Sequence, residues 1–100
     1  MVYKIIWAPR ALADLREIVG YIRRSNPVAA KSFGGRLIAK AEFLAQFPER
    51  GRMIQKFQDP QIREVFLGPY RIAYRIISEP PHVEIARIWH GARNEENFEL

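Results

Sequence analysis

Five arginines interrupt runs of β-branched and aromatic residues between residues 62 and 93. A cationic surface built on rigid strands can bind a phosphate or the carboxylates of an acidic partner. The same pattern also fits a solvated outer face, on which arginines keep a half-buried sheet soluble and protect its edges. The candidates for binding a target or a partner are Arg63, Arg71, Arg75, Arg87, His90 and Arg93.

Other kinds of chemistry lack the residues that they need. His82 and His90 are the only histidines and there is no cysteine, so a metal site is not expected. Gly34-Gly35 lies within a helical pattern rather than after a strand, which argues against a phosphate-binding loop. No serine is surrounded by the motif of a hydrolase nucleophile. We therefore expect no metal and no cofactor, and we assign no catalytic residue.

The stretch that carries the cations predicts three short strands, at 62–67, 70–77 and 83–90. Gly68-Pro69 and Glu79-Pro80-Pro81 leave room only for tight connections, so the strands should form an antiparallel meander. In the middle strand, alternation places the tyrosines on one face and Arg71 and Arg75 on the other. In the third strand both alternating sets contain apolar residues, and the pattern leaves open which set is buried.

The first half of the chain predicts a strand at 2–7 and then two amphipathic helices. Asn26 can cap the second helix and Pro27 can begin it, so the helices should form an antiparallel hairpin. Gly34-Gly35 predicts either a close approach of the helices or a kink, and 53–61 is interpreted as a loop. The economical arrangement is one α+β domain over 1–100, ordered β-α-α-β-β-β, with the helical hairpin on one face of a mainly antiparallel four-stranded sheet.

Composition is typical of a single soluble domain in the cytoplasm. The chain has 100 residues, 48% of them hydrophobic, no cysteine, and no segment long enough to span a membrane. Its formal charge of +5 favours an acidic protein partner or a nucleic acid. The acidic segment 94–100 is expected to fold back on the basic face of the sheet.

Five sequence features together resemble the ParE/RelE toxin superfamily over nearly the whole chain. They are Ala11-x-x-Asp14-Leu15-x-x-Ile18 with Tyr21-Ile22, Phe47-Pro48-Glu49-x-Gly51-Arg52, Tyr70-Arg71-Ile72-x-Tyr74, His90-Gly91-x-Arg93, and the order of the elements. The Gly51 turn and the His90 ending are more similar to the ParE branch. The resemblance implies a bacterial toxin that binds DNA gyrase and arrests growth, and a cognate antitoxin whose acidic C-terminal segment wraps it.

The RelE branch implies a different function, which is cleavage of messenger RNA in the ribosomal A site. That chemistry needs cations on the phosphate, a base for the 2′-hydroxyl and an acid for the leaving oxygen. Arg71 matches a phosphate-stabilising arginine of that branch, Arg93 is near a second, and His90 falls where some members keep a histidine. Lysines are missing, with Ile62 and Glu64 in their place, and Phe98 stands where a tyrosine is expected. We therefore predict a binding toxin, with the endonuclease as the alternative.

Overall fold

Two helices cover one face of a five-stranded mixed sheet in the computed structural model, which describes residues 2–91 and 99–100. The elements are β1 (Lys4–Trp7), α1 (Pro9–Ser25), α2 (Pro27–Phe43), β2 (Arg52–Met53), β3 (Ile62–Leu67), β4 (Tyr70–Ser78) and β5 (Pro81–His90). Short 3-10 helices occupy Pro48–Arg50 and Gln55–Phe57. The predicted α+β class, the helical hairpin and the meander are confirmed.

The strand order is β1-β5-β4-β3-β2, with β1 parallel to β5 and every other pair antiparallel. A parallel pair needs a long connection between its two strands, and the two helices that follow β1 provide it. The predicted count of four strands was wrong. The fifth strand, β2, has two residues and lies at the sheet edge, which is too short to show the alternation by which a strand is identified in a sequence.

Both helices begin at a proline, and the second begins where the sequence predicts. Pro9 and Pro27 each stand in a first turn, where the missing N–H is not needed. The Asn26 side chain accepts a hydrogen bond from the Ala29 N–H at 3.0 Å, so the two helices meet at one capped residue. Arg23 and Arg24 in the last turn of α1 complement its dipole. Neither described helix is long and apolar enough to cross a membrane.

The main core lies between the helices and the sheet. It includes buried residues from α1, α2, β3, β4 and β5, namely Ala11, Leu37, Ala41, Leu44, Val65, Leu67, Ile72, Tyr74, Val83, Ile85 and Ile88. A smaller cluster on the opposite face joins Ile54, Ala73 and Trp89. Leu100 packs against this second cluster, as the expected folding back of the acidic segment requires, while 92–98 lie outside the described residues.

A β-bulge in β5 answers the question of which face of that strand is buried. Tyr74 pairs with Ile85 and Ala73 pairs with Arg87, so Ala86 has no residue opposite it. Before the bulge Ile85 faces the helices, and after it Ile88 does so while Trp89 joins the opposite cluster. Both alternating sets are therefore buried, each over part of the strand.

Tyr74 connects the meander to the turn after α2. Its ring is fully buried, and its hydroxyl accepts from the Gly51 N–H at 2.9 Å and donates to the Pro48 carbonyl at 2.6 Å. A Cβ on Gly51 would lie 2.5 Å from both the Glu64 carbonyl oxygen and the Tyr74 hydroxyl. Burial raises the pKa of the Tyr74 phenol above its ordinary value of 10.0, against the lowering effect of the Gly51 hydrogen bond.

Gly34-Gly35 does not produce the predicted close approach. A Cβ on Gly34 would meet only Val19, at an ordinary contact distance of 3.7 Å, and a Cβ on Gly35 would meet nothing within 4 Å.

Two glycine substitutions should therefore have opposite effects on stability. We expect Gly35→Ala to raise the free energy of unfolding by about 0.5–1 kcal/mol, because alanine is the better helix former and has room. Gly51→Ala should lower it by about 2 kcal/mol or more, through overpacking and a displaced hydrogen bond. Urea unfolding measures both, and a stable Gly51→Ala protein would contradict the tight packing around Tyr74.

Tyr74 should also make stability depend on alkaline pH. The unfolded chain releases the phenol proton near pH 10 whereas the folded chain retains it, so the contribution is complete below about pH 10 and decreases as pH rises towards the folded-state pKa. Tyr74→Phe should lower the free energy of unfolding by about 1–2 kcal/mol at neutral pH, and its difference from the wild type should shrink above about pH 10. Tyr21→Phe, at a side chain that is 68% exposed, is the matched control. If the difference in unfolding free energy between Tyr74→Phe and the wild type did not change with pH, a raised pKa of Tyr74 in the folded protein would be refuted.

Candidate functional site

The carboxylate of Glu64, in β3, is a charged group inside the sheet and is only 2% exposed. It accepts from Arg71 twice, Nε to Oε1 at 2.7 Å and Nη2 to Oε2 at 3.0 Å, and from Arg52 Nε at 2.9 Å. Arg52 lies opposite Glu64 across β2 and β3, and Arg71 is the diagonal neighbour on β4. We call Arg52, Glu64 and Arg71 the Glu64 cluster.

Aromatic rings flank the two arginines of the Glu64 cluster. The Arg71 guanidinium carbon lies 4.8 Å from the centre of the Trp89 ring, and that of Arg52 lies 5.0 Å from the centre of the Phe66 ring. Arg71 is 6% exposed, whereas the Arg52 side chain is 67% exposed and the Phe66 ring is also at the surface. Solvent and partners therefore meet this cluster through Arg52 and Phe66.

Arg75 and Arg87 also have partners within the chain. Arg75 Nη1 donates to Glu84 Oε1 at 2.7 Å across β4 and β5. Arg87 Nε donates to Asp14 Oδ2 on α1 at 2.8 Å, and the same oxygen accepts from the backbone N–H of Ile88. Asp14 thereby occupies the part of the β5 edge that β1 does not reach, because β1 pairs only with residues 82–85 of β5.

Arg63 has a structural position on the opposite face from Arg71. It lies across from Tyr74, and its guanidinium donates to the carbonyls of Pro60 at 2.8 Å and Gly51 at 2.9 Å. The bond to Gly51 holds the turn that also binds the Tyr74 hydroxyl.

The predicted candidates therefore do not form one cationic surface. His90 is exposed at the end of β5 with its ring 5.4 Å from the centre of the Tyr70 ring, in a cleft of about 300 Å³ between α1 and the sheet. Arg93 lies outside the described residues. In the part of the chain that the structure describes, no group of acidic residues and histidines is placed to hold a metal ion.

Sequence reasoning missed Arg52, Glu64 and Asp14 as members of this charge network. A signal for Glu64 was available, because a tight hairpin at Gly68-Pro69 makes positions 64 and 71 diagonal neighbours on one face. No comparable signal existed for Asp14, which is 73 residues from Arg87 in the sequence.

The basic residues without an ion pair among residues 2–91 and 99–100 lie mainly on and around the helices. Nine of them are Lys4, Arg10, Arg16, Arg23, Arg24, Lys31, Arg36, Lys40 and Arg50, and the tenth is Arg63, which is held by backbone carbonyls. Charge that is available to an external partner is therefore greater on the helical layer than on the meander.

Removing the charge of Glu64 should reveal how far the sheet depends on its carboxylate. We expect Glu64→Gln to lower the free energy of unfolding by about 3 kcal/mol, because a buried guanidinium would lose its counter-charge. Arg52→Ala should change it by less than about 1 kcal/mol, since that arginine is largely exposed. Urea unfolding of both variants provides the comparison, and equal effects would contradict a central role for the Glu64–Arg71 pair.

Comparison with known proteins places this geometry in a family. The family model for the ParE toxin of the type II toxin-antitoxin system, parDE, matches residues 5–95. Toxin RelE2 of Caulobacter vibrioides is 41% identical over 91 residues, which cover 90% of this chain and 97% of that protein. Toxin RelE1 of the same organism is 30% identical over 95 residues, covering 91% of this chain and 96% of that protein.

Solved structures share the fold. The chromosomal ParDE toxin-antitoxin system of P. aeruginosa contains a chain with a TM-score of 0.73 and 21% identity, over 89% of this chain and 96% of that chain. The RelBE2 toxin-antitoxin complex of Mycobacterium tuberculosis contains one with a TM-score of 0.64 and 22% identity, over 90% and 99%. The resemblance to the ParE/RelE superfamily is thus confirmed, and the chain belongs to the ParE toxin family of type II toxin-antitoxin systems.

Proposed function

We propose that this toxin arrests growth in the cytoplasm by binding DNA gyrase, without cleaving RNA, and that a cognate antitoxin with an acidic C-terminal segment neutralises it. The observation that carries the proposal is the state of Arg71. The resemblance assigns this arginine to phosphate stabilisation in the nuclease branch, yet here it is 6% exposed and held by both oxygens of Glu64.

A nuclease role for Arg71 would require exchanging a buried carboxylate for a substrate phosphate. The exchange would leave the Glu64 charge 2% exposed beside an incoming anion, which is energetically costly in a site of low dielectric constant. Glu64 is also a poor general base here, because its two oxygens already accept three hydrogen bonds from guanidinium groups. A binding function requires neither the release of Arg71 from Glu64 nor a free Glu64 base.

The endonuclease remains a second candidate because two relatives with at least 30% identity are named as RelE toxins. Arg52 and Phe66 would be its best RNA contacts, since an exposed guanidinium and ring can bind a phosphate and stack on a base. A third possibility is a member that acts only as a co-repressor with its antitoxin, which would have no effect on growth when expressed alone.

Inhibition of gyrase and cleavage of messenger RNA can be distinguished by what the toxin damages first. We expect purified toxin to inhibit supercoiling of relaxed plasmid by gyrase, and purified antitoxin to reverse the inhibition. Primer extension on translated messages after induction should show no new cleavage sites. Full supercoiling at a molar excess of toxin, together with new cuts in messages, would replace this proposal by the endonuclease. Normal growth of cells that express the protein alone would favour the third possibility, a co-repressor.

Arg75 offers a sharper test, because it is half-exposed and its partner Glu84 is on the neighbouring strand. We propose that Arg75 contacts the target, so Arg75→Glu should weaken inhibition of supercoiling about tenfold, the equivalent of roughly 1.4 kcal/mol. The swapped variant Arg75→Glu/Glu84→Arg restores the ion pair in the opposite sense. It should recover the stability of the wild type and still inhibit weakly. Recovery of inhibition in the swap would show that Arg75 acts only through the fold.

A further inference from the structure

A glycine inside α1 leaves an opening on the outer surface of the helical layer. Gly20 lies well within the helix, and a Cβ at this position would meet nothing within 4 Å. Alanine has room there and is the better helix former, so neither backbone conformation nor packing requires a glycine. The glycine instead exposes the helix backbone between two turns that carry long side chains.

The space above Gly20 is an open depression of about 460 Å³, which we call the Gly20 depression. The described residues that line it all belong to α1, namely Arg16, Glu17, Gly20, Tyr21, Arg23 and Arg24. The guanidinium groups come from the turns on either side of the glycine, and Tyr21 is 68% exposed. No aliphatic side chain is among these residues, so the depression offers little surface to an apolar partner.

The Gly20 depression carries a net positive charge. Arg16, Arg23 and Arg24 have no ion pair within residues 2–91 and 99–100, and the lining adds only the carboxylate of Glu17 against them. Guanidinium groups without partners attract an anion with several acceptor oxygens.

The second helix adds a further cation beside the Gly20 depression. Gly34 of α2 lies against Val19 of α1, and the two helices are antiparallel. One turn from this contact towards the connection, Lys31 of α2 therefore lies beside Arg23 of α1. Lys31 is exposed and has no ion pair in the described part of the chain. The positive surface thus continues from one helix to the other.

The phosphate backbone of a duplex fits this arrangement of charges. Arg16 and Arg23 are two helical turns apart, about 10.5 Å along the axis of α1. The major groove of B-form DNA is about 12 Å wide, so one helix can reach phosphates on both strands that border it. The major groove of A-form RNA is deep and narrow and does not offer this span. A single strand would need several rings for its bases, whereas Tyr21 is the one aromatic residue among the described residues of the lining.

We infer that the Gly20 depression binds the phosphate backbone of duplex DNA, with Arg16, Arg23 and Arg24 as its phosphate ligands. The absent side chain of Gly20 lets the DNA backbone come close to the helix. Contacts to phosphates carry no base information, so the binding is independent of sequence. The inference goes beyond the proposed inhibition of gyrase and does not depend on it, because the toxin makes this contact alone.

Fluorescence anisotropy of a short, fluorescein-labelled DNA duplex with the full-length toxin tests the inference. Three phosphate contacts give a logarithmic salt slope of about −2.7, so affinity should fall roughly fortyfold between about 50 and 200 mM salt. Arg16→Glu/Arg23→Glu should weaken binding at least tenfold and reduce the slope by about two.

A matched charge reversal on α2 controls for the overall charge of the toxin. Arg36→Glu/Lys40→Glu makes the same change of charge on the side of α2 that faces β3. It should alter duplex binding less than threefold at about 0.1 M salt, where charges more than about 10 Å apart are largely screened. Thermal unfolding checks that both double variants are folded.

Two single substitutions separate the shape of the Gly20 depression from its charge. Gly20→Leu should unfold at a temperature no lower than the wild type does, because leucine is the better helix former. Its side chain occupies the depression and should weaken duplex binding at least fivefold. Glu17→Gln removes a like charge from beside the phosphates and should strengthen binding about threefold.

The inference would be overturned if the toxin did not bind the duplex at low salt, or if Arg16→Glu/Arg23→Glu bound it as the wild type does. An equal loss of affinity in the α2 control would also contradict it. Tighter binding of RNA, as a duplex or a single strand, would assign the depression to RNA instead. Polyglutamate that bound as tightly at the same charge concentration would assign it to an acidic protein. No gyrase is present in these measurements, so they leave the proposed target to the supercoiling assay.

Discussion

The sheet depends on keeping the Glu64 carboxylate charged in a place where water cannot solvate it. Burial of a lone carboxylate is strongly unfavourable, and only the two guanidinium groups beside it make this position tolerable. Because the partners come from β2 and β4 while Glu64 belongs to β3, one ionic contact joins three strands. Trp89 extends the connection to β5 through the face of its ring. The short β2 strand has only two residues in the ladder, and Arg52 adds a side-chain contact to β3 beside them.

The distribution of charge separates the two layers of the molecule. In the sheet, the arginines bind other groups of the same chain. Arg71, Arg75 and Arg87 form ion pairs with carboxylates, and Arg63 donates to a carbonyl oxygen of a turn. On the helical layer and the turn after it, the basic residues project from the fold without such partners among the described residues. The formal charge of +5 is thus expressed mainly by the helical layer. An acidic partner would therefore be attracted at long range mainly by that layer.

Much of the fold could be predicted from the sequence because its signals are local. Pro9, Asn26 and Pro27 mark the helix boundaries, and Gly68-Pro69 sets the first hairpin. The bulge at Ala86 could not be predicted, because the extra residue changes the parity of β5 without any unusual residue type. The network around Asp14 and Arg87 was equally hidden, since it depends on how α1 lies against β5. For the candidate site, the sequence showed which arginines lie on the strands but not which carboxylates pair with them. A pattern of alternation assigns a face, whereas burial of Arg71 follows from which carboxylate stands diagonally across the hairpin.

The parallel pair at the edge of the sheet has a consequence for how the toxin is made. β1 pairs only with β5, so the hydrogen bonds between the backbones around Ile5 and Val83 can form only after Val83 has been synthesised. At a synthesis rate of about 5–20 residues per second, the interval between them lasts several seconds on the ribosome. The helical hairpin and the β3–β4 hairpin can form from local contacts during that time, but the layer between them closes only when β5 joins. A nascent toxin therefore spends those seconds without its completed sheet, and translation itself delays the appearance of an active molecule.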